Sequence, residues 1–215
     1  MIKIFMKINI GGSSMKKIVA LLVVLMLAIP MVVNAAFSDV VEEHWAAGYI
    51  NELTQKGIIN GYTDGTFKPN NTLTRGEFLK LIITASIPDL DFSKVTPKYY
   101  HWAASYVTVA ENYGVIEKDQ ILGTNIDKPI SRIEVIKILS LCDINIRGAR
   151  NLPNENALSF RDIDGLSEKE AALLSHAVSK GIINGYSDGT FKPNNSLTRA
   201  EATKVLSIYI NEKEA

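Results

Sequence analysis

The chain has 215 residues, 47% apolar and 21% charged, an apolar share ample for a packed core and incompatible with disorder of the whole chain. Four of its 23 basic residues (Lys3, Lys7, Lys16 and Lys17) lie in the first 35 positions, which hold no acidic ones, so the rest carries 19 basic against 23 acidic residues. Such a mildly acidic body lacks the basic face of a nucleic-acid binder. The single cysteine, Cys142, excludes an internal disulfide framework and a Cys-based zinc site, three histidines offer little for a His-rich one, and no cofactor is expected.

Residues 1–35 read as an export signal. Lys16-Lys17 is a short basic region, Ile18 to Ile29 an unbroken apolar run, and Val33-Asn34-Ala35 a small-residue end that predicts cleavage after Ala35. The apolar run is short for a membrane span, and no span is expected in the mature chain. Met15 is the expected true start, because a signal opens on its basic region.

Beyond Ala35 the chain repeats itself. Lys56 to Glu77 recurs as Lys180 to Glu201 with three differences, at Thr63/Ser187, Thr72/Ser196 and Gly76/Ala200. A worn copy lies between: His44-Trp45-Ala46-Ala47 returns as His101-Trp102-Ala103-Ala104, Gly57 as Gly114 and Arg75 as Arg132. This divides the chain into repeats 36–88, 89–150 and 151–215, each too short for a sizeable core alone.

Each repeat reads as helix, loop, helix. The first helix of repeat one is expected from about His44 to Lys56, with Trp45, Tyr49, Ile50 and Leu53 at helical spacing, and Gly57, Gly114 and Gly181 suit left-handed caps after such helices. Turn-rich loops follow. The second helices open on Thr74-x-x-Glu77, Ser131-x-x-Glu134 and Thr198-x-x-Glu201, three capping boxes. Their apolar faces (Phe78, Leu81, Ile82; Val135, Ile138, Leu139, Cys142; Val205, Leu206, Tyr209) are expected to meet as a central bundle, with Cys142 a buried small hydrophobe.

Arg75, Arg132 and Arg199 each sit one residue inside a helix N-terminus, where a cation is locally unfavourable by a few tenths of a kcal/mol. Something negative is expected beside them: either a carboxylate or phosphate ligand, or an aspartate of the chain itself, such as Asp64 or Asp188. Asp64-Gly65 and Asp188-Gly189 read as turns, with Lys68 and Lys192 exposed nearby. Trp45 and Trp102 either stack on a sugar or fill a seam between repeats. Asp162-Ile163-Asp164-Gly165 lacks the ladder of a calcium loop, and no metal site is expected. No nucleophile elbow, His-Glu-x-x-His or P-loop occurs, so no catalytic residue is assigned.

Phe-Ser-Asp-Val, His-Trp-Ala, Gly-Ile-Ile-Asn-Gly-Tyr-x-Asp-Gly-Thr-Phe-Lys-Pro-Asn and Leu-Thr-Arg-Ala-Glu in series resemble the S-layer homology family over essentially all of residues 36–215. The resemblance implies an all-α, three-lobed pseudo-trimer around a central three-helix bundle, with grooves between lobes. It implies a secreted, non-catalytic module that binds cell-wall polysaccharide non-covalently, commonly one carrying ketal-linked pyruvate. An adaptor docking another surface or S-layer protein is the alternative. The implied ligand set is Arg75, Arg132, Arg199, Lys68, Lys192, Trp45, Trp102, Asp64, Asp188, Gly61 and Gly185. Repeat two departs from the pattern in its loop, Leu122 to Pro129, and repeat three has Glu168-Lys169-Glu170-Ala171 in place of His-Trp-Ala-Ala, so the three grooves cannot be equivalent. Arg75 and Arg199 are expected beside complete loops and Arg132 beside the degenerate one, and all three arginines are expected to matter little for stability.

Overall fold

The computed structural model describes residues 37–118, 125–149 and 158–212. The expected export signal lies outside them, as does the stretch Leu122 to Thr124 of the degenerate loop. The described residues form six α-helices and no strand: α1 (Ala47–Gln55), α2 (Arg75–Ser86), α3 (Ala104–Asn112), α4 (Arg132–Asn145), α5 (Glu168–Ser179) and α6 (Arg199–Asn211), with a 3-10 turn at Phe92–Lys94. None of these helices is long and apolar enough to cross a membrane.

The helix signals read from the sequence act as expected. Thr74, Ser131 and Thr198 each accept the N–H of the glutamate three residues on, and each glutamate accepts the cap residue's own N–H in return. Every such cap is worth about 1 kcal/mol. A fourth capping box, Ser167 with Glu170, starts α5; the Ser-x-x-Glu pattern was legible there too. Gly57, Gly114 and Gly181 end the first helices at φ of 68°, 64° and 66°. α1 begins at Ala47 rather than His44, because His44 Nδ1 accepts the Ala46 N–H and holds the preceding turn. Trp45 therefore stands off the apolar face, 55% exposed, while Ile50 and Leu53 are buried.

The second helices α2, α4 and α6 bring their apolar faces together. α2 packs on both α4 and α6, and α4 meets α6 where Arg147, just past the end of α4, lies over the Tyr209 ring. Phe78, Ile82, Val135, Leu139, Cys142, Leu206 and Tyr209 are buried there. Burial pushes the Cys142 thiol up to about 12, so it behaves as a hydrophobe rather than a nucleophile.

The first helices pack across repeat boundaries. α3 lies on α2, α5 on α4, and α1 on α6. Each helix pair thus joins the second helix of one repeat to the first helix of the next, and α1 closes the circle, where Ser207 Oγ donates to Glu52 (2.5 Å) and Lys56 Nζ to Asn211 (3.2 Å). The loops close a second circle. Leu73 N–H donates to the Leu197 carbonyl (3.1 Å), Leu197 N–H to Ile130 (3.2 Å) and Ile130 N–H to Leu73 (2.9 Å). Buried backbone groups need partners, and here the partner of each repeat is supplied by another.

Candidate functional site

The same cyclic logic builds the grooves. Each second helix inserts its N-terminus into the loop of the following repeat. Arg132 and Ile133 N–H donate to the carbonyls of Asn195 and Pro193, Arg199 and Ala200 to those of Asn71 and Pro69, and Arg75 and Gly76 to those of Lys128 and Ile126. The free N–H groups of a helix end are thereby satisfied by the neighbouring chain. These pairs fix the register of the degenerate loop: Asn125-Ile126 takes the place of Lys68-Pro69 and Lys192-Pro193. The three residues Lys68, Asn125 and Lys192 share a left-handed backbone, at φ of 57°, 65° and 56°. The look-alike pair Lys128-Pro129 sits three positions further on.

Each arginine consequently belongs to the loop of the next repeat, which corrects the expected pairing. Arg132 and Arg199 stand at the complete loops, and Arg75 at the degenerate one. Arg132 Nε donates to the Phe191 carbonyl (2.7 Å) and its Nη2 to that of Asn184 (3.0 Å), with the guanidinium over the rings of Tyr186 and Phe191. Arg199 repeats this with Phe67 (2.8 Å), Asn60 (3.2 Å), and the rings of Tyr62 and Phe67. Neither arginine forms an ion pair among the described residues. Arg75 instead turns onto Glu134, with both Nε and Nη2 at 2.7 Å from Oε1. Burial pushes the Glu134 carboxyl up, but Arg75 and Ser131 outweigh it and hold it below the usual range. Burial lowers the pKa of Arg132, 6% exposed, against the opposing pull of Tyr186, Glu201 and Asp162, and a guanidinium stays charged regardless.

The aspartates Asp64 and Asp188 face neither arginine. Asp64 accepts Thr66 Oγ1 (2.6 Å) and N–H (3.0 Å) and pairs with Lys68 (3.2 Å); Asp188 does the same with Thr190 and Lys192. Lys68 and Lys192 are half-buried over the rings of Tyr62 and Tyr186 rather than free. Gly61 and Gly185 lie under aromatic rings. A Cβ at Gly61 would come within 2.1 Å of Phe37 and one at Gly185 within 2.2 Å of Phe160, so glycine is needed there for packing. Asp39 and Asp162, outside the expected set, clasp the loops from beneath. Each offers its carboxylate to two successive N–H groups, Phe67 and Lys68, and Phe191 and Lys192.

Two grooves result. Groove A, about 260 Å³, is lined by Arg199, Asn60, Tyr62, Glu77, Lys80 and Trp102, over an apolar floor that includes Leu73 and Leu81. Groove B, about 320 Å³, is its pseudo-equivalent, lined by Arg75, Glu117, Glu134, Lys137, Lys169 and Glu170. In groove B the charges are matched internally: Arg75 holds Glu134, and Lys137 holds Glu170 at 3.0 Å. Lys169 stands where groove A has Trp102. The corresponding place C brings together Arg132, Tyr186 and Phe191, while Trp45 occupies the repeat position of Trp102. Gly76 admits Trp102, since a Cβ there would lie 3.1 Å from the indole and 3.0 Å from Ile126. Lys80 and Tyr62 escaped the sequence reading of the site. Lys80, Lys137 and Lys204 fall six residues after their cap residues in all three repeats, a periodicity that would have found them.

Residues 36–79 and 159–203 match the S-layer homology domain. Over 80% of the chain, the sequence is 31% identical to an exoglucanase of Acetivibrio thermocellus, 33% to an uncharacterized cell wall amidase of Bacillus anthracis and 28% to the S-layer protein EA1 of B. anthracis. The chain spans 16%, 31% and 20% of the length of these relatives. The first and third repeats thus each carry an S-layer homology domain. These matches give the chain a secreted, cell-wall or S-layer localisation.

Proposed function

We propose that the module is non-catalytic and binds a wall polysaccharide through an acidic substituent, of which ketal-linked pyruvate is the best fit, held at groove A and place C. The observation that carries this reading is the state of Arg199 and Arg132. Backbone carbonyls and aromatic faces aim them without neutralising them, and a preorganised guanidinium of that kind is suited to a carboxylate. Lys80 adds a second cation in groove A, and Trp102 a face for a sugar ring. Groove B, its arginine spent on Glu134, is the weak or silent one.

The relatives support anchoring. Proteins named as an exoglucanase, a cell wall amidase and an S-layer protein share this stretch, though it is a minor part of each. Sedimentation of the secreted protein with native and depyruvylated wall polymer tests the proposal. Co-sedimentation with native polymer alone supports it. Equal binding to both removes the acidic group from the reading.

A further inference from the structure

Tyr99, Tyr100, His101 and Trp102 precede α3 and, with Pro97, line a shallow depression of about 520 Å³. Tyr100 is 110% exposed and Trp102 54% exposed. The segment is nevertheless fixed from beneath. Tyr99 Oη donates to the buried carboxylate of Glu111 (2.6 Å), Lys98 Nζ pairs with the same group (3.0 Å), and Lys98 N–H donates to Thr108 Oγ1 (3.2 Å). His101 accepts the Ala103 N–H on Nδ1 and turns Nε2 toward Asp127 (3.3 Å). The tyrosines are particular to this lobe. The matching positions are Glu42 and Glu43 in repeat one and Leu166 and Ser167 in repeat three.

A held, exposed cluster of rings is costly to leave facing water and marks a binding surface. Two observations say what it takes. Trp102 borders both this depression and groove A, so the two surfaces are continuous. Asp127 and His101 stand beside the rings, and an apolar protein partner would strip them of water without replacing its hydrogen bonds. A sugar offers an apolar C–H face and a rim of hydroxyls together.

We propose that the Tyr100–Trp102 platform is a second sugar subsite: the polysaccharide whose acidic group occupies groove A continues across Trp102, and a neutral sugar further along it packs on Tyr100 with its hydroxyls on the exposed carboxylate of Asp127, which His101 Nε2 faces. The path rests on the groove A reading, but the contacts are separate and can be tested separately.

The test uses the secreted protein and its Tyr100→Ala, Tyr100→Glu and Arg199→Ala variants, titrated calorimetrically with a single hexose carrying ketal-linked pyruvate and with a long fragment of the pyruvylated wall polysaccharide. Tyr100→Ala and Tyr100→Glu should bind the single sugar normally and the long fragment about three- to tenfold more weakly, the range an aromatic stack supplies. Arg199→Ala should weaken both ligands. Normal binding of the long fragment by both tyrosine variants overturns the platform and leaves groove A standing. Equal loss of both ligands also overturns it, because Tyr100 would then act on groove A itself. If Arg199→Ala binds everything normally while Tyr100→Ala still loses the long fragment, the platform stands and the groove reading falls. A change in self-association of the tyrosine variants with unchanged glycan binding assigns the surface to protein contact and overturns the proposal.

Discussion

Arg132 Nε donates to the carbonyl of Phe191 at 2.7 Å, so an arginine of the second repeat is seated in the loop of the third. Through these contacts the arginine joins two repeats before any ligand arrives. Its removal leaves the carbonyls of Phe191 and Asn184 without their donors and the rings of Tyr186 and Phe191 uncovered. Arg132→Ala should therefore lower stability by about 2–3 kcal/mol, against the sequence expectation of almost none. Chemical denaturation monitored by circular dichroism measures it. A loss below about 0.5 kcal/mol would show that the arginine is held in place without holding anything.

The sequence made the local structure legible and left the closure hidden. The capping boxes at Thr74, Ser131 and Thr198 and the helix-ending glycines could be read because each is settled within a few residues. The partner of Arg132 could not, because an amphipathic face says that it is buried but not against which neighbour, and α1 meets α6 from the far end of the chain. Repeat two shows the same limit. Lys128-Pro129 looks like Lys68-Pro69, but the backbone places Asn125 at the left-handed position of Lys68. Hydrogen bonds from the N-terminus of α2 in the preceding repeat, rather than side-chain identity, set that register. The one hint of the arginines' partners was their unfavourable place on the helix dipole. It pointed to something negative, which Glu134 supplies for Arg75 alone; Arg132 and Arg199 meet neutral carbonyls instead.

Two glycines of the first repeat should respond oppositely to alanine. A Cβ on Gly61 would collide with the Phe37 ring at 2.1 Å and the Thr66 carbonyl at 2.8 Å, and Gly61→Ala should cost about 1–3 kcal/mol through forced repacking. Gly48 lies exposed in α1 with nothing within 4 Å of a built Cβ, and Gly48→Ala should add about 0.4–1 kcal/mol by restricting the unfolded chain. Paired thermal melts check both, and a stabilising Gly61→Ala would mean that Phe37 moves aside freely.

The loops carry their own acid sensitivity. The Thr66 hydroxyl and N–H, then Lys68, draw the Asp64 carboxyl from 3.8 down to about 2; Thr190 and Lys192 do the same for Asp188. A depressed pKa in the folded state means that these contacts stabilise fully above the ordinary value and are lost as protons bind on the way down. The difference in melting temperature between the protein and its Asp64→Asn/Asp188→Asn variant should stay constant from neutral pH to about pH 4, then close between about pH 4 and pH 2. A difference that already closes near pH 6 would implicate another group.

A buried polar knot ties the far ends of the helices. Asp143 of α4 accepts from His176 of α5 at 2.7 Å, with Lys180 at 3.5 Å and Arg147 at 3.8 Å. Lys180 reaches on to Glu212, past the end of α6. Asp143→Ala removes the carboxylate that these three side chains share, and loss of a buried partner costs about 3–5 kcal/mol. Asp143→Asn keeps an acceptor and should lose less. Urea titration of both variants decides, and equal losses would mean that the acceptor kept by asparagine contributes nothing and the charge of Asp143 carries the whole effect.

Occupancy of the grooves follows from how each arginine spends its charge. Arg199 and Arg132 form no ion pair among the described residues, so Arg199→Ala and Arg132→Ala should each weaken binding of a pyruvylated fragment about ten- to a hundredfold at their own site, the worth of a charge-assisted hydrogen bond of about 1.5–3 kcal/mol. Arg75→Ala should leave binding unchanged, because Glu134 already takes its guanidinium at 2.7 Å. Glu134→Gln is the complementary change: it keeps an oxygen for Arg75 but removes the competing charge, and should give groove B a measurable affinity for the fragment. Thr74→Ala controls for indirect effects, since it removes only a cap worth about 1 kcal/mol of stability. Calorimetric stoichiometry distinguishes the sites, with two bound fragments expected for the unaltered protein and a third for Glu134→Gln. Lost binding in Arg75→Ala with intact binding in Arg199→Ala would place the working groove on the ion pair and refute the assignment.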